Sequence, residues 1–281
     1  MKKSLIALAL VGAFAAPAAV QVAAAAEEAS PHTVAGNVGL FSSYRFRGID
    51  QTFGKAALQG GIDYTHSSGF YAGNWNSNVS SGAGFPDGNL EMDFYGGYRT
   101  SFGDLGLDVG AIYYYYPGSE ARGFDTRAQK GAVNNKEIYL GASWKFLSVK
   151  YSYSIDDYFS LRGTANDAGK STSGTSYLEA NLTYDLGNGW GVNGHLGQLY
   201  AKNIKNGDYT DWKVGVTKDL SGWVVGLAYV DTNADGNCKK AFQPYCFTNS
   251  NSDNGAGGLN FGSKMKDAGR GIAVLSVTKA F

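Results

Sequence analysis

From Leu90 to Arg99, apolar and polar side chains alternate without a break. Leu90, Met92, Phe94 and Tyr98 fall on one side; Glu91, Asp93, Tyr95 and Arg99 fall on the other. A period of two is that of a strand with two unlike faces. The pattern recurs along the chain. Leu105, Leu107, Val109, Tyr113 and Tyr115 oppose Asp108, Tyr114 and Tyr116, and Ile138, Leu140, Ala142 and Trp144 oppose Glu137, Tyr139, Ser143 and Lys145. Leu147, Val149, Tyr151 and Tyr153 oppose Ser148, Lys150 and Ser152; Leu178, Leu182 and Tyr184 oppose Glu179, Asn181 and Asp185. Trp190, Val192 and Leu196 oppose Asn193 and His195, Trp212 and Val214 oppose Asp211 and Lys213, and Trp223, Val225, Leu227 and Tyr229 form a further apolar face. At the amino end, Val34 to Arg47 reads as one strand, with Val38, Leu40, Tyr44 and Phe46 on one face and Arg45 and Arg47 on the other. Leu58, Ile62 and Tyr64 then oppose Gln59 and Asp63. Between 71 and 79 the face carrying Asn74, Asn76 and Asn78 is predicted to line a wet interior, because a dry core does not suit three amides. The last stretch, Gly269 to Phe281, alternates to the final residue. The total is twelve strands.

The connections alternate in length. Those near 66–69, 101–104, 145–146, 186–189 and 219–222 are tight turns, with Gly187-Asn188-Gly189 a hairpin signature. The others are longer, the longest near 117–135, 156–175 and 232–267. One rim of short turns and one of long loops is the plan of a transmembrane antiparallel up-and-down β-barrel. Strands of about ten residues can cross a bilayer when tilted. A soluble β-sandwich also alternates, but it would turn its apolar face inward and mix its loop lengths. An even strand count places both termini at the short-turn rim, predicted to be periplasmic. The last strand must pair with the first, because a sheet in lipid has no stable open edge. Phe281 is then the barrel-closing terminal residue, and a strand ending on Phe resembles the signal by which bacterial barrel-assembly machinery recognises its clients. Lys279 stands where that signal usually has an apolar residue.

Composition adds export. Lys2 and Lys3 precede an apolar run and a string of alanines, predicting a signal peptide over 1–26 and a barrel domain over 27–281. Removal of Lys2 and Lys3 leaves 22 basic against 24 acidic side chains, a charge near −2. No nucleic-acid partner is implied; the partners expected are outer-membrane lipid, the assembly machinery and small polar solutes. The mean hydropathy is slightly negative, as it is for barrels with only one apolar face. The chain has 40 glycines, 19 tyrosines and two cysteines. In an oxidising compartment Cys238 and Cys246 are expected to form a disulfide. Two thiols without a nearby His make a metal site a poor reading, and no cofactor is implied.

The run Asn37-Val38-Gly39-Leu40-Phe41-Ser42-Ser43-Tyr44-Arg45-Phe46-Arg47-Gly48-Ile49-Asp50-Gln51-Thr52 resembles the opening of the TorF family of porin-like proteins. The likeness continues through 57–64 and 68–79, is dense over roughly 34–100, and loosens afterwards. It implies an outer-membrane barrel and names no solute.

The candidate chemistry lies on the inward face. Arg45, Arg47, Arg99, Lys150, Lys213 and Arg270 share it with Asp63, Glu91, Asp93, Asp108, Glu137, Glu179, Asp211 and His195. Placed on the first and last strands, Arg45, Arg47 and Arg270 would form a basic wall facing an acidic one of Glu91, Asp93 and Asp108, a pore lining for passive diffusion of small polar or ionic solutes. The other reading is a salt-bridged filling, since buried charges must be paired. A non-conducting structural or adhesive barrel presenting its loops is the alternative function. No catalytic residue is assigned: His32, His66 and His195 show no outward Ser–His pairing that would make a nucleophile and its base.

Overall fold

The computed structural model describes residues 30–121, 131–254 and 258–281. The predicted signal peptide lies outside these residues, as does 122–130 of the third long loop. Twelve antiparallel strands close into one cylinder. They are β1 His32–Phe41, β2 Ala57–His66, β3 Phe70–Asn78, β4 Leu90–Phe102, β5 Leu105–Tyr115 and β6 Asn134–Trp144. The second half comprises β7 Leu147–Ser154, β8 Ser176–Gly187, β9 Trp190–Tyr200, β10 Tyr209–Leu220, β11 Trp223–Thr232 and β12 Ile272–Ala280. Order around the cylinder follows the chain.

Five hairpins make the short-turn rim. Two of them place successive residues at positive φ, Asn188 and Gly189, then Ser221 and Gly222. That geometry matches the right-handed twist of the flanking strands. The outer surface is apolar: Leu40, Leu58, Ile62, Val109, Leu140, Val149, Leu196, Val214, Leu227 and Leu275 are each at least half exposed, apart from Val149 at 49%. Trp144, Trp190 and Trp223 gather beside the short turns and are likewise exposed. Water would penalise such a surface at ~25 cal/mol per Å². A bilayer does not, and indoles suit its interface. The barrel is of outer-membrane type.

The seam between β1 and β12 is the shortest ladder in the cylinder. It pairs Asn37–Phe41 with Ser276–Ala280, whereas β1 pairs with β2 over its whole length, from His32↔His66 to Phe41↔Ala57. The terminal residue extends the seam: the Phe281 amide donates to the Gly36 carbonyl (2.9 Å) and the Gly36 amide donates to the Phe281 carbonyl (2.7 Å). At the other end Ser42 continues it through its backbone amide, to the Leu275 carbonyl at 2.8 Å, and its hydroxyl, which accepts from the Leu275 amide at 3.0 Å.

Three sequence expectations are corrected here. The wall strand β1 stops at Phe41, so Arg45 and Arg47 belong to a loop and not to the wall. Arg45–Phe46 pairs with Ile49–Asp50 in a small hairpin of its own. Arg270 precedes β12 and is exposed, so the basic wall does not form. On β3 the faces are reversed. Tyr71 and Ser77 are buried in the lumen, and Asn74, Asn76 and Asn78 lie on the face shared with Ile62 and Phe94 through the register Ile62↔Asn74↔Phe94. Their amides are satisfied by the sheet itself. Asn74 donates to the Asp93 carbonyl (2.9 Å), and the Asn78 carboxamide oxygen accepts from the Leu58 amide (2.7 Å). A polar side chain bonded to backbone need not face water.

Candidate functional site

Just past the wall, the hairpin Arg45–Asp50 bends into the cylinder. Its turn uses positive φ at Arg47 (48°) and Gly48 (77°). A Cβ at Gly48 would come within 2.7 Å of the Asp211 Cβ, so the turn seats only glycine against the wall. The hairpin carries Arg47 across the lumen to β6. Arg47 Nη1 and Nη2 donate to Glu137 Oε1 and Oε2 at 3.0 and 2.7 Å, a bidentate pair. Nη1 also donates to the Tyr158 hydroxyl at 3.2 Å. The guanidinium lies between the rings of Phe46 and Tyr177, 4.8 and 4.4 Å from their centroids, and the Tyr209 hydroxyl donates to the Arg47 carbonyl at 2.8 Å. Burial works against the Arg47 charge, but Glu137 and the hydroxyls of Tyr158 and Tyr114 outweigh it and hold its pKa above the usual range.

Arg45 is tied to the loop before β12. Its Nη1 donates to the carbonyls of Ala268 (2.9 Å), Arg270 (3.2 Å) and Gly48 (3.3 Å). Asp50 lies 3.8 Å from Arg45 and 2.6 Å from Lys266. Burial pushes the Arg45 guanidinium down, only partly offset by Asp50. Around the hairpin pack the loops that carry Tyr158–Phe159, Phe85 and Tyr245–Phe247. The long-loop half of the lumen is therefore filled.

Two acids in this filled half lack basic partners. Glu91 accepts from the Tyr44 hydroxyl at 2.8 Å, and its other oxygen has no hydrogen-bond donor. Asp93 is 1% exposed and neither carboxylate oxygen has a donor. Arg45 and Arg47 do not face these two acids as a basic wall; they take Asp50 and Glu137, as the reading of a salt-bridged filling has it.

Toward the short-turn rim the side chains form cross-strand pairs. Arg99 Nε donates to Asp108 Oδ2 at 3.0 Å, with its guanidinium 4.0 Å from the Tyr71 centroid. Tyr71 donates to Asp108 at 2.7 Å and Tyr95 to Asp63 at 2.6 Å. Lys150 pairs with Glu179 at 2.9 Å. Higher up, beside the plug hairpin, His195 contacts Asp211 at 2.9 Å through Nε2 and Asn181 at 2.7 Å through Nδ1, and Lys213 stands beside it in register. Below these pairs a cavity of about 490 Å³ is lined by Arg99, Asp108, Lys150, Glu179 and Asn181, with Ser143 and Ser148. The lumen is thus a polar vestibule at one end and a packed plug at the other.

The plug residues Asp50, Tyr158 and Lys266 escaped the sequence reading because loops carry no period. A signal was present in Arg47-Gly48, a bulky residue before glycine in an otherwise unbroken alternation. Among the described residues no group of three or more His, Cys, Asp or Glu could hold a metal ion. His66 Nδ1 meets the Ser68 hydroxyl at 2.6 Å and also accepts from the Ser68 amide, a bond that shapes an exposed turn. Cys238 and Cys246 form a disulfide in the last loop.

Residues 25–252 match the family described as "Bacterial protein of unknown function (Gcw_chp)". The chain belongs to this family. No curated protein matches it in sequence. Among solved structures it is similar to the KdgM porin, at 11% identity over 88% of this chain and 99% of that one, with a TM-score of 0.47. It is also similar to the NanC porin, at 10% identity over 89% and 99%, TM-score 0.48, and to the P. putida toluene transporter TodX, at 10% identity over 91% and 91%, TM-score 0.42.

Proposed function

We propose that this protein is an outer-membrane channel for small polar or ionic solutes, closed at rest by its first long loop. The observation that carries this reading is the division of the lumen. Charged pairs stand on the wall from β4 to β8, Arg99 with Asp108 and Lys150 with Glu179, while β11 and β12 turn the apolar Val230 and Val274 inward; half of the lumen is a vestibule of about 490 Å³. What fills the other half is the hairpin Arg45–Asp50 with the loops that carry Phe85, Tyr158–Phe159 and Tyr245–Phe247 packed around it. A filling supplied by a loop can leave; one supplied by wall side chains cannot. Twelve strands enclose more room than the eight whose interior is just filled by side chains. Paired charges at the lumen surface, Arg99 with Asp108 and Lys150 with Glu179, would then set ion preference as charged rings do in other pores. The resemblance of residues 34–100 to the TorF family of porin-like proteins supports the outer-membrane barrel and names no solute. In this orientation the short-turn rim and both termini face the periplasm, and the long loops face outside.

The bidentate Arg47–Glu137 pair favours one other reading, a barrel that never conducts and serves only to present its loops. Planar-bilayer recordings separate the two. The parent protein should show low conductance with rare openings. A variant with 44–52 replaced by a short glycine-serine link should conduct steadily. A folded variant of that kind that carries no current would defeat the channel.

A further inference from the structure

Above the plug, where the long loops converge, the structure holds a second cavity of about 160 Å³. The hairpin supplies Phe46 and Ile49, the loop after β3 supplies Phe85, the loop after β7 supplies Phe159, and Ile204 and Phe247 line the other side; Gln51, whose amide donates to the Ile49 carbonyl (3.0 Å), is the one amide side chain on the lining. We infer that this cavity is a binding site for a monocyclic aromatic or a similarly compact apolar molecule, seated directly on the plug hairpin.

Size is the first argument. An apolar cavity of about 150 Å³ lined by Leu, Ile and Phe stays dry and takes up benzene. The second is chemistry. The tyrosines around this space have their hydroxyls engaged elsewhere: Tyr158 accepts from Arg47 (3.2 Å), Tyr209 donates to the Arg47 carbonyl (2.8 Å), and Tyr245 donates to the Gly207 carbonyl. What they turn toward the cavity is ring surface, which favours another ring edge-on or offset. The third argument is strain. Phe159 and Ser160 both adopt left-handed backbone, with φ of 48° and 58°, in a conformation that costs non-glycine residues free energy and that clusters at ligand sites. The Ser160 hydroxyl holds it by accepting from the Asn134 amide (3.1 Å) and donating to the Asn134 carbonyl (3.2 Å). The result is the Phe159 ring standing edge-on to Phe46 and to Tyr158, 5.7 and 4.7 Å between centroids.

The site goes beyond the proposed channel, and its test does not depend on conduction. The purified barrel in lipid nanodiscs is titrated with fluorobenzene and followed by ¹⁹F NMR, with empty nanodiscs giving the linear partition background. Saturable binding at one equivalent is expected. The fillings Ala83→Trp and Ile204→Trp, introduced from different loops, should each weaken it at least tenfold while the heat-resistant migration of the folded barrel is kept. Iodobenzene soaked into crystals of the parent protein should place its anomalous signal among Phe46, Phe85 and Phe159, so the site is decided even if a filled variant does not fold. Uptake no greater than partition, iodine sites only on the outer barrel surface, or unchanged saturable binding in both folded variants would overturn the assignment.

Discussion

Two buried carboxylates on the lumen face show how differently the same chemical group is used. Glu137 has a bidentate arginine, and Asp93 has no donor at either oxygen. Removing one member of a buried ion pair strands the other, at a cost of about 3–5 kcal/mol. Glu137→Leu, similar in volume, should therefore lower the unfolding midpoint strongly. Asp93→Asn should cost far less, because neither Asp93 carboxyl oxygen has a partner to lose. Heat-resistant migration on gels against temperature reads both; a stabilised Glu137→Leu, or an Asp93→Asn that costs as much as Glu137→Leu, would contradict the pairing described. The sequence announced that these side chains point inward, since a period of two assigns a face. It could not say which partner each would take, because Arg47 reaches Glu137 across ninety positions of chain and from a loop. The asparagines of β3 misled for a related reason. An amide reads as wet, yet Asn74 and Asn78 are bonded to the backbone of neighbouring strands and face outward.

At the scale of elements, walls and turns were legible and the plug was not. Strand alternation and Asn-Gly or Ser-Gly turns act locally, so residues a few positions apart suffice to reveal them. The segment 42–50 continues the alternation of β1 because its hairpin is itself extended; the chain leaves the wall at the bend of Ser42 and Ser43 and turns back at the positive φ of Arg47 and Gly48. That geometry makes Gly48 the tip of the insert. Gly48→Val combines an unfavourable φ of 77° with a Cβ that would press on Asp211, and a β-branched residue at such φ is a strong outlier. The hairpin should leave its seat while the cylinder, closed by its own ladders, stays folded. Bilayer conductance of Gly48→Val should approach that of the loop-replaced variant. A folded Gly48→Val barrel as quiet as the parent would show that the hairpin is not held by this turn.

For the whole molecule, the decisive property is that the sheet has no edge, and the place where it nearly has one is the join of β1 to β12. Its five backbone pairings are extended only by the Gly36–Phe281 exchange at one end and the doubly bonded Ser42 at the other. Cooperative opening starts where the fewest bonds must break together. Amide exchange in lipid should thus be faster along Asn37–Phe41 and Ser276–Ala280 than at matched depth in β6 or β9, and uniform protection around the cylinder would count against this. The join also brings the first and last strands of the chain together, across the greatest sequence separation in the fold. A ring whose clasp is its weakest link is the last part to lock during insertion and the first to part under sideways load. Wear on this barrel would begin at residue 281.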